Sequence, residues 1–166
     1  MEPRPNFHSG LYEVHLPVTD LERSIEFYVG KLGFQLGFRR SDASLALLLY
    51  TEQQQRWMLG LFRVSTIIHR TQEEYHISFR VTENRVDRMV SWLREQGIEA
   101  EHPPRSAIQG LMTEPIVHGW MPAASVFFRD PDGHLLEFIA ELADSPRPDF
   151  SFRPLSEWRA LHRTSD

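Results

Sequence analysis

Residues 129–138 read RDPDGHLLEF and contain the most clearly predicted hairpin in the chain. Proline presets φ near the start of a tight turn and glycine accepts positive φ, so the segment Asp130 to Gly133 predicts the turn. The flanking residues predict strands at 124–129 and 134–141. In the second strand Glu137 stands between apolar neighbours, where an unpaired buried carboxylate would be expensive to desolvate. We therefore expect Glu137 to have a partner, and a metal ion would satisfy it.

The pattern that ends in this hairpin begins with a strand predicted at 75–81. Thr82 then caps a predicted helix that Gly97 closes. One face of this helix carries apolar residues at helical spacing: Val86, Met89, Val90 and Leu93. A short strand is predicted at 98–101, and a long segment that contains proline and glycine leads from there to the hairpin.

The first half of the chain has the same order of elements. A strand is predicted at 11–18, and the Thr-x-x-Glu spacing of Thr19 and Glu22 predicts a capping box at the start of a helix. The helix is expected to end near Leu32, before a glycine. Three further strands are then predicted at 34–39, 45–50 and 57–64.

Two β-α-β-β-β modules are therefore predicted, over about 9–65 and 72–142, within one domain that covers 1–166. A single module leaves sheet edges and one sheet face uncovered. We expect an α+β fold in which the two modules form a curved mixed sheet with a pocket in its concavity. Residues 143–166, called the C-terminal arm below, are predicted to dock on the sheet or on a second subunit through a helix at 154–161.

Composition narrows the class of partner. The 166 residues carry a formal net charge of -5, so no basic excess is available for nucleic acid. No apolar stretch is long enough to span a bilayer, and the first residues lack a signal-peptide pattern, which makes the cytoplasm the expected location. Because the chain has no cysteine, any metal site must use His, Asp or Glu as ligands.

His15 and His76 occupy the same place in the two modules, each in the first strand before a helix cap. Strand parity places both on the face opposite the core side. Two imidazoles with the Glu137 carboxylate would hold a metal ion and leave coordination positions open, which is typical of catalytic sites. Each residue alone also fits a structural role: either histidine as a hydrogen-bonded strand residue, and Glu137 as a solubilising charge on an edge strand.

The constellation resembles the vicinal oxygen chelate superfamily, which includes glyoxalase I, extradiol dioxygenases and fosfomycin-resistance proteins. The resemblance rests on His15 with TDLERSIEFY at 19–28, on His76, and on RDPDGHLLEF at 129–138. It implies one divalent metal ion (Fe, Mn, Zn, Ni or Co) held by His15, His76 and Glu137 in the concavity of the sheet. It also implies a small-molecule substrate bound through oxygen atoms, and a homodimer.

Departures from the family pattern bear on the reaction. Bacterial glyoxalase I has an additional glutamate on the last strand of the first module, yet residues 57–64 contain no Asp or Glu. His118 resembles the active-site histidine of some extradiol enzymes, but Phe127 stands where those enzymes have a tyrosine. The resemblance therefore leaves several activities open: a glyoxalase-like reaction, extradiol ring cleavage, thiol transfer as in fosfomycin resistance, or metal-free drug binding as in bleomycin-resistance proteins.

The remaining candidates are less specific. His118 is a proton-shuttle candidate or a loop residue, and Glu13 and Glu74 are lesser base candidates. Five aromatic residues are candidates for pocket walls or ordinary core: Phe38, Trp57, Phe62, Trp120 and Phe127. The other five histidines are expected at the surface: His8, His69, His102, His134 and His162.

Overall fold

The computed structural model describes residues 12–52, 55–64, 75–104, 106 and 108–163. The chain divides into two compact units, Met1–Gln72 and Glu73–Asp166, called unit 1 and unit 2. Each unit has its own mixed sheet with helices, so the predicted α+β class is confirmed. Among the described residues, no helix is long and apolar enough to cross a membrane.

Unit 1 follows the predicted β-α-β-β-β order. Its elements are β1 (Glu13–Val18), α1 (Leu21–Ile25) with a π-helical continuation (Glu26–Lys31), β2 (Gln35–Arg39), β3 (Leu45–Glu52) and β4 (Gln55–Arg63). The strand order is β1-β4-β3-β2, with β1 parallel to β4 and the other neighbours antiparallel. The core side of β1 buries Leu16 and Val18, whereas Tyr12, which precedes the strand, is 70% exposed.

The first helix starts differently from the predicted capping box. Asp20 is the N-cap, and its Oδ1 accepts a hydrogen bond from the backbone N–H of Arg23 at 3.1 Å. The extended backbone of Asp20 (φ -130°, ψ 107°) brings the carboxylate to the helix start. Thr19 instead accepts a side-chain hydrogen bond from Arg23, and Glu22 pairs with Arg39. The predicted capping box of Thr19 and Glu22 is therefore wrong, because the N-cap is Asp20, one residue after Thr19.

Unit 2 has the same order, with two additions at its end. Its elements are β5 (His76–Arg80), α2 (Glu83–Val86), α3 (Met89–Glu95), β6 (Ile116–His118), β7 (Ala123–Arg129), β8 (Leu135–Glu141), β9 (Ser151–Pro154) and α4 (Leu155–Arg163). The strand order is β5-β8-β7-β6-β9, and β5 is parallel to β8. The hairpin turn between β7 and β8 is present, with Gly133 at φ 89°.

Two predictions for unit 2 need correction. The strand expected at 98–101 is reduced to isolated bridges at Ala100 and Glu101. The second strand that pairs with β7, besides β8, is β6, which lies within the segment predicted to lead to the hairpin. A three-residue strand has too few positions for alternation to be visible, and its pairing with β7 and β9 is decided by residues distant in sequence.

The C-terminal arm is part of unit 2. Its strand β9 pairs antiparallel with β6, and α4 includes all but the first residue of the helix predicted at 154–161. Trp158 is fully buried, and its Nε1 donates to Asp144 Oδ2 at 2.7 Å. The Trp158 cluster joins the arm to the sheet and α2 through these residues: Val86, Val117, Ala124, Ala140, Leu142, Phe150, Leu155 and Trp158.

Candidate functional site

Glu137 lies in the middle of β8 with only 4% of its surface exposed. Strand register pairs it with Ser78 of β5 on one side and with Phe127 of β7 on the other. Both neighbours along the strand are apolar, as the sequence indicated. The carboxylate is therefore held inside the sheet of unit 2 and is not a solubilising charge at a sheet edge.

Four side chains interact with the carboxylate of Glu137: His76, Ser78, His118 and Ser125. His76 Nε2 lies 3.1 Å from Oε2, and the Ser78 hydroxyl donates to the same oxygen at 2.5 Å. His118 Nε2 lies 3.7 Å from Oε1. The structure thus brings both histidines to Glu137, although His76 lies 61 residues and His118 lies 19 residues before it in the sequence.

The electrostatics of Glu137 favour its ionised form. Burial alone would raise the pKa of this carboxyl. Interactions with His118 and hydrogen bonds from Ser125 and Ser78 outweigh burial and hold the pKa at about 2. Glu137 is therefore a buried anion at neutral pH, which makes it a strong candidate to pair with a cation.

His118 lies at the end of β6 and not in an exposed loop, and its side chain is 12% exposed. Its Nε2 lies 3.1 Å from the Ser125 hydroxyl oxygen. If Nε2 carries a proton, it donates to Ser125, whose own hydroxyl can then donate to Glu137. The rings of Phe127 and Phe152 lie 6.4 and 4.7 Å from the imidazole, centroid to centroid.

The geometry in unit 2 is compatible with two metal ligands. Two ligand atoms that each lie about 2.1 Å from one ion are separated by about 3.0–3.4 Å at octahedral or tetrahedral angles. The Nε2 of His76 and the Oε2 of Glu137 are 3.1 Å apart. Within the described ranges, however, no group of three or more His, Cys, Asp or Glu side chains is arranged to hold a metal ion. Unit 2 therefore offers a candidate ligand pair that needs further ligands.

The third predicted ligand, His15, lies on β1 of unit 1. Its side chain is 41% exposed, on the same strand face as Glu13, whose Oε1 is 3.5 Å from His15 Nε2. The imidazole covers Gly60 of β4, its register partner, and a Cβ at Gly60 would lie 2.7 Å from the ring. Glycine therefore leaves room for His15 to lie flat on the neighbouring strand.

The two units differ at one matching position. Two residues after the histidine, the first strand pairs with Phe62 in unit 1 and with Glu137 in unit 2. The Phe62 ring centroid lies 6.3 Å from that of His15. The strand register thus gives unit 1 an aromatic ring at the position where unit 2 has a carboxylate.

The other predicted site residues fall into separate environments. Phe127 is buried, with its ring 5.9 Å from His76, and Phe62 is half-buried beside His15. Phe38 and Trp120 are 53% and 63% exposed, and Trp57 is half-buried. Glu74 lies outside the described residues.

The prediction that five histidines lie at the surface also needs one correction. His134 is only 2% exposed, because its backbone N–H binds Asp130 Oδ1 at 2.9 Å within the turn and its ring packs on Tyr75. His102 and His162 are half-buried. His8 and His69 lie outside the described residues.

Sequence reasoning did not single out three residues at this site: Ser78, Ser125 and Phe152. Ser78 could have been found, since it shares the strand face of His76. Ser125 and Phe152 become neighbours of His118 only through strand pairing that the sequence did not predict.

The comparisons with known proteins agree with this fold. The model of the Glyoxalase/Bleomycin resistance protein/Dioxygenase superfamily matches residues 10–138. An integron cassette protein from the mobile metagenome of the Halifax Harbour sewage outfall is 30% identical, with a TM-score of 0.64 over 80% of this chain and 99% of that one. The protein YraH of Bacillus subtilis is 25% identical over 80% of this chain and 98% of its own length.

One solved structure of an enzyme is similar to this chain in fold only. The lactoylglutathione lyase of Agrobacterium tumefaciens is 20% identical, with a TM-score of 0.58 over 81% of this chain and 96% of that one. The match of the family model covers well over half of the chain and includes both histidines of the first strands and the glutamate of β8. The chain therefore belongs to the Glyoxalase/Bleomycin resistance protein/Dioxygenase superfamily.

Proposed function

We propose that the chain is a metal-dependent enzyme of this superfamily that activates a small organic substrate through the substrate's oxygen atoms. The observation that carries the proposal is the buried, ionised carboxylate of Glu137 beside His76 Nε2 at 3.1 Å. His15 is proposed as the third ligand, on the strength of its matching place in the repeat and its exposed position on β1. A divalent ion would balance the negative charge of Glu137, which its hydrogen bonds stabilise but do not neutralise.

A divalent metal supplies Lewis-acid chemistry that stabilises negative charge on a substrate oxygen. The protein's own residues would do the rest. Ser78 fixes one oxygen of Glu137 and so keeps the carboxylate in place. His118, beside that carboxylate and hydrogen-bonded to Ser125, is proposed to accept a proton from the substrate or return one to it. Glu13, 3.5 Å from His15, is a lesser base candidate.

The activities of the family differ in whether they consume oxygen. Ring cleavage of a catechol would need Fe or Mn and molecular oxygen, whereas a lyase or thiol-transfer reaction would not consume oxygen. By the resemblance described above, ring-cleaving enzymes have a tyrosine at the position of Phe127. The phenylalanine has no hydroxyl that could donate a hydrogen bond there. We therefore favour a reaction that is not extradiol cleavage, and oxygen uptake with catechols separates the two.

Metal analysis tests the central claim. Protein purified without added metal or chelator is expected to contain about one equivalent of a divalent ion per chain, measured by inductively coupled plasma mass spectrometry. If the chain contained no ion and also bound none when Fe, Mn, Zn, Ni and Co were each supplied, the enzyme proposal would be wrong. The alternative of a metal-free binding protein, as for bleomycin-resistance proteins, would then be favoured.

We also propose that the chain forms a homodimer. β2 lies at one edge of the unit 1 sheet and all five of its residues are exposed, including the apolar side chains of Leu36 and Phe38. An exposed apolar edge strand is a surface that commonly pairs with another chain. Sedimentation at micromolar concentration is expected to give a dimer, and Phe38→Glu a larger monomer fraction. A monomeric wild type would contradict this proposal and leave the metal site untouched.

A further inference from the structure

The C-terminal arm lies beyond residues 10–138, which the family model matches, and it nevertheless reaches His118. The Phe152 ring on β9 packs edge-on against the imidazole, with centroids 4.7 Å apart and planes at 70°. We propose that Phe152 is a positioning residue that sets the orientation of His118 relative to Glu137. The proposal rests on the metal function proposed above, because it assigns His118 a role at that site.

The backbone at Phe152 has an unusual conformation. Val117 pairs with Arg153 and His118 pairs with Ser151, so Phe152 is the extra residue of a β-bulge. Its φ is 51°, in the left-handed region, which is sterically unfavourable for a residue with a Cβ. β-bulges commonly redirect a side chain next to a functional site. Here the bulged residue is the one whose ring contacts His118.

Burial of the arm does not explain this conformation. The arm contributes Phe150 and Trp158 to the core of unit 2, and both are almost fully buried. Phe152, in contrast, is only half-buried and is absent from the Trp158 cluster. Its ring contact with His118 therefore explains its placement better than packing of the arm does.

The arm is also fastened to the residue that follows His118. The Gly119 N–H donates to the Phe150 carbonyl, and the Gly119 carbonyl accepts from the Arg147 N–H, each at 2.8 Å. A Cβ at Gly119 would lie 2.1 Å from the Phe150 oxygen and 2.2 Å from the Arg147 oxygen. Only glycine admits this approach of the arm. His118 is thus held between its own hydrogen bond to Ser125 and an arm attached at the next residue.

The test uses the full chain loaded with Co(II), and 4-nitrocatechol as a probe that has two adjacent oxygens and an absorption that depends on its ionisation. Phe152→Ala is expected to weaken probe binding about tenfold, because the His118 imidazole loses its fixed orientation. Co(II) affinity should change by less than about twofold, since Phe152 is not a ligand. The conservative variant Phe152→Tyr should bind the probe as tightly as the wild type does, because it keeps an aromatic ring against His118.

A double-mutant cycle shows whether Phe152 acts through His118. His118→Ala alone should weaken probe binding, and adding Phe152→Ala should weaken it no further. Arg153→Ala is the control for a general change in the arm, because Arg153 contacts Glu157 and the Phe150 ring, whereas the ring on His118 is that of Phe152. It should bind the probe as the wild type does.

The outcomes separate the two proposals. If wild type binds Co(II) but Phe152→Ala binds the probe normally, or if the two substitutions are additive, the positioning role is wrong and the metal function stands. The same conclusion follows if wild type binds Co(II) but not the probe, or if His118→Ala binds the probe normally. If wild type binds no Co(II), the proposed function fails and the positioning role fails with it.

Discussion

Replacing His15, His76 or Glu137 singly by alanine is expected to abolish tight metal binding. Loss of one of three ligands should weaken affinity by well over the roughly 10- to 100-fold that changes around the ligands cause. Water cannot replace the lost charge or imidazole in an open coordination position. Isothermal titration with Zn(II) or Co(II) measures the effect directly, and activity should disappear with the metal.

The three variants should differ in stability. His15 and His76 have side chains that are 41% and 47% exposed, so their removal should leave the fold intact. Glu137, in contrast, is buried, with only 4% of its surface exposed. Because its pKa falls from 4.5 to about 2 on folding, its ionised form adds on the order of 3 kcal/mol of stability. That stability is present above pH 4.5 and is lost as pH falls toward 2.

Glu141→Ala is the matched control for Glu137→Ala. Glu141 lies on the same strand but is exposed, and its carboxylate pairs with Arg80 at 2.6 Å. An exposed ion pair contributes little to stability, so this variant should keep both the metal and the melting temperature. Full metal content in all three ligand variants would contradict the proposed site.

His118→Ala should behave unlike the ligand variants. A residue that moves a proton or contacts the substrate can be lost while the ion stays bound. We therefore expect metal content to remain near wild type while turnover falls. A parallel loss of metal would instead make His118 a ligand and would require a revised assignment of the ligand set.

The sequence predicted the parts of the site that depend on local patterns. Strand parity placed His15 on the exposed face of β1, opposite the buried Leu16. Glu137 was recognised because a charged residue between apolar neighbours must find a partner inside the fold. The turn at 130–133 followed from proline and glycine.

The features that the sequence did not predict depend on contacts between distant segments. β6 is a strand because β7 and β9 flank it, and three residues give no visible alternation. The placement of His118 could not be predicted without that strand. A positive φ at Phe152 also has no sequence signal, since phenylalanine avoids this region unless the surrounding structure imposes it.

Deletion of the C-terminal arm after Ala143 is expected to destabilise unit 2 strongly. The deletion removes Trp158, which is fully buried, and its hydrogen-bond partner Asp144. It also removes β9, so that β6 becomes an unpaired edge. Loss of the tryptophan alone typically costs about 3 to 5 kcal/mol, which is a large part of the stability of a small domain.

Point substitutions separate loss of the tryptophan from loss of the whole arm. Trp158→Ala should lower the free energy of unfolding in urea by about 3 to 5 kcal/mol. Trp120→Ala is the matched control, because Trp120 belongs to the same unit and is 63% exposed. Surface substitutions usually change stability by less than about 0.5 kcal/mol. If truncated and full-length chains unfolded at the same urea concentration, the arm would not be part of the core of unit 2, and its contact with His118 could not be maintained in solution.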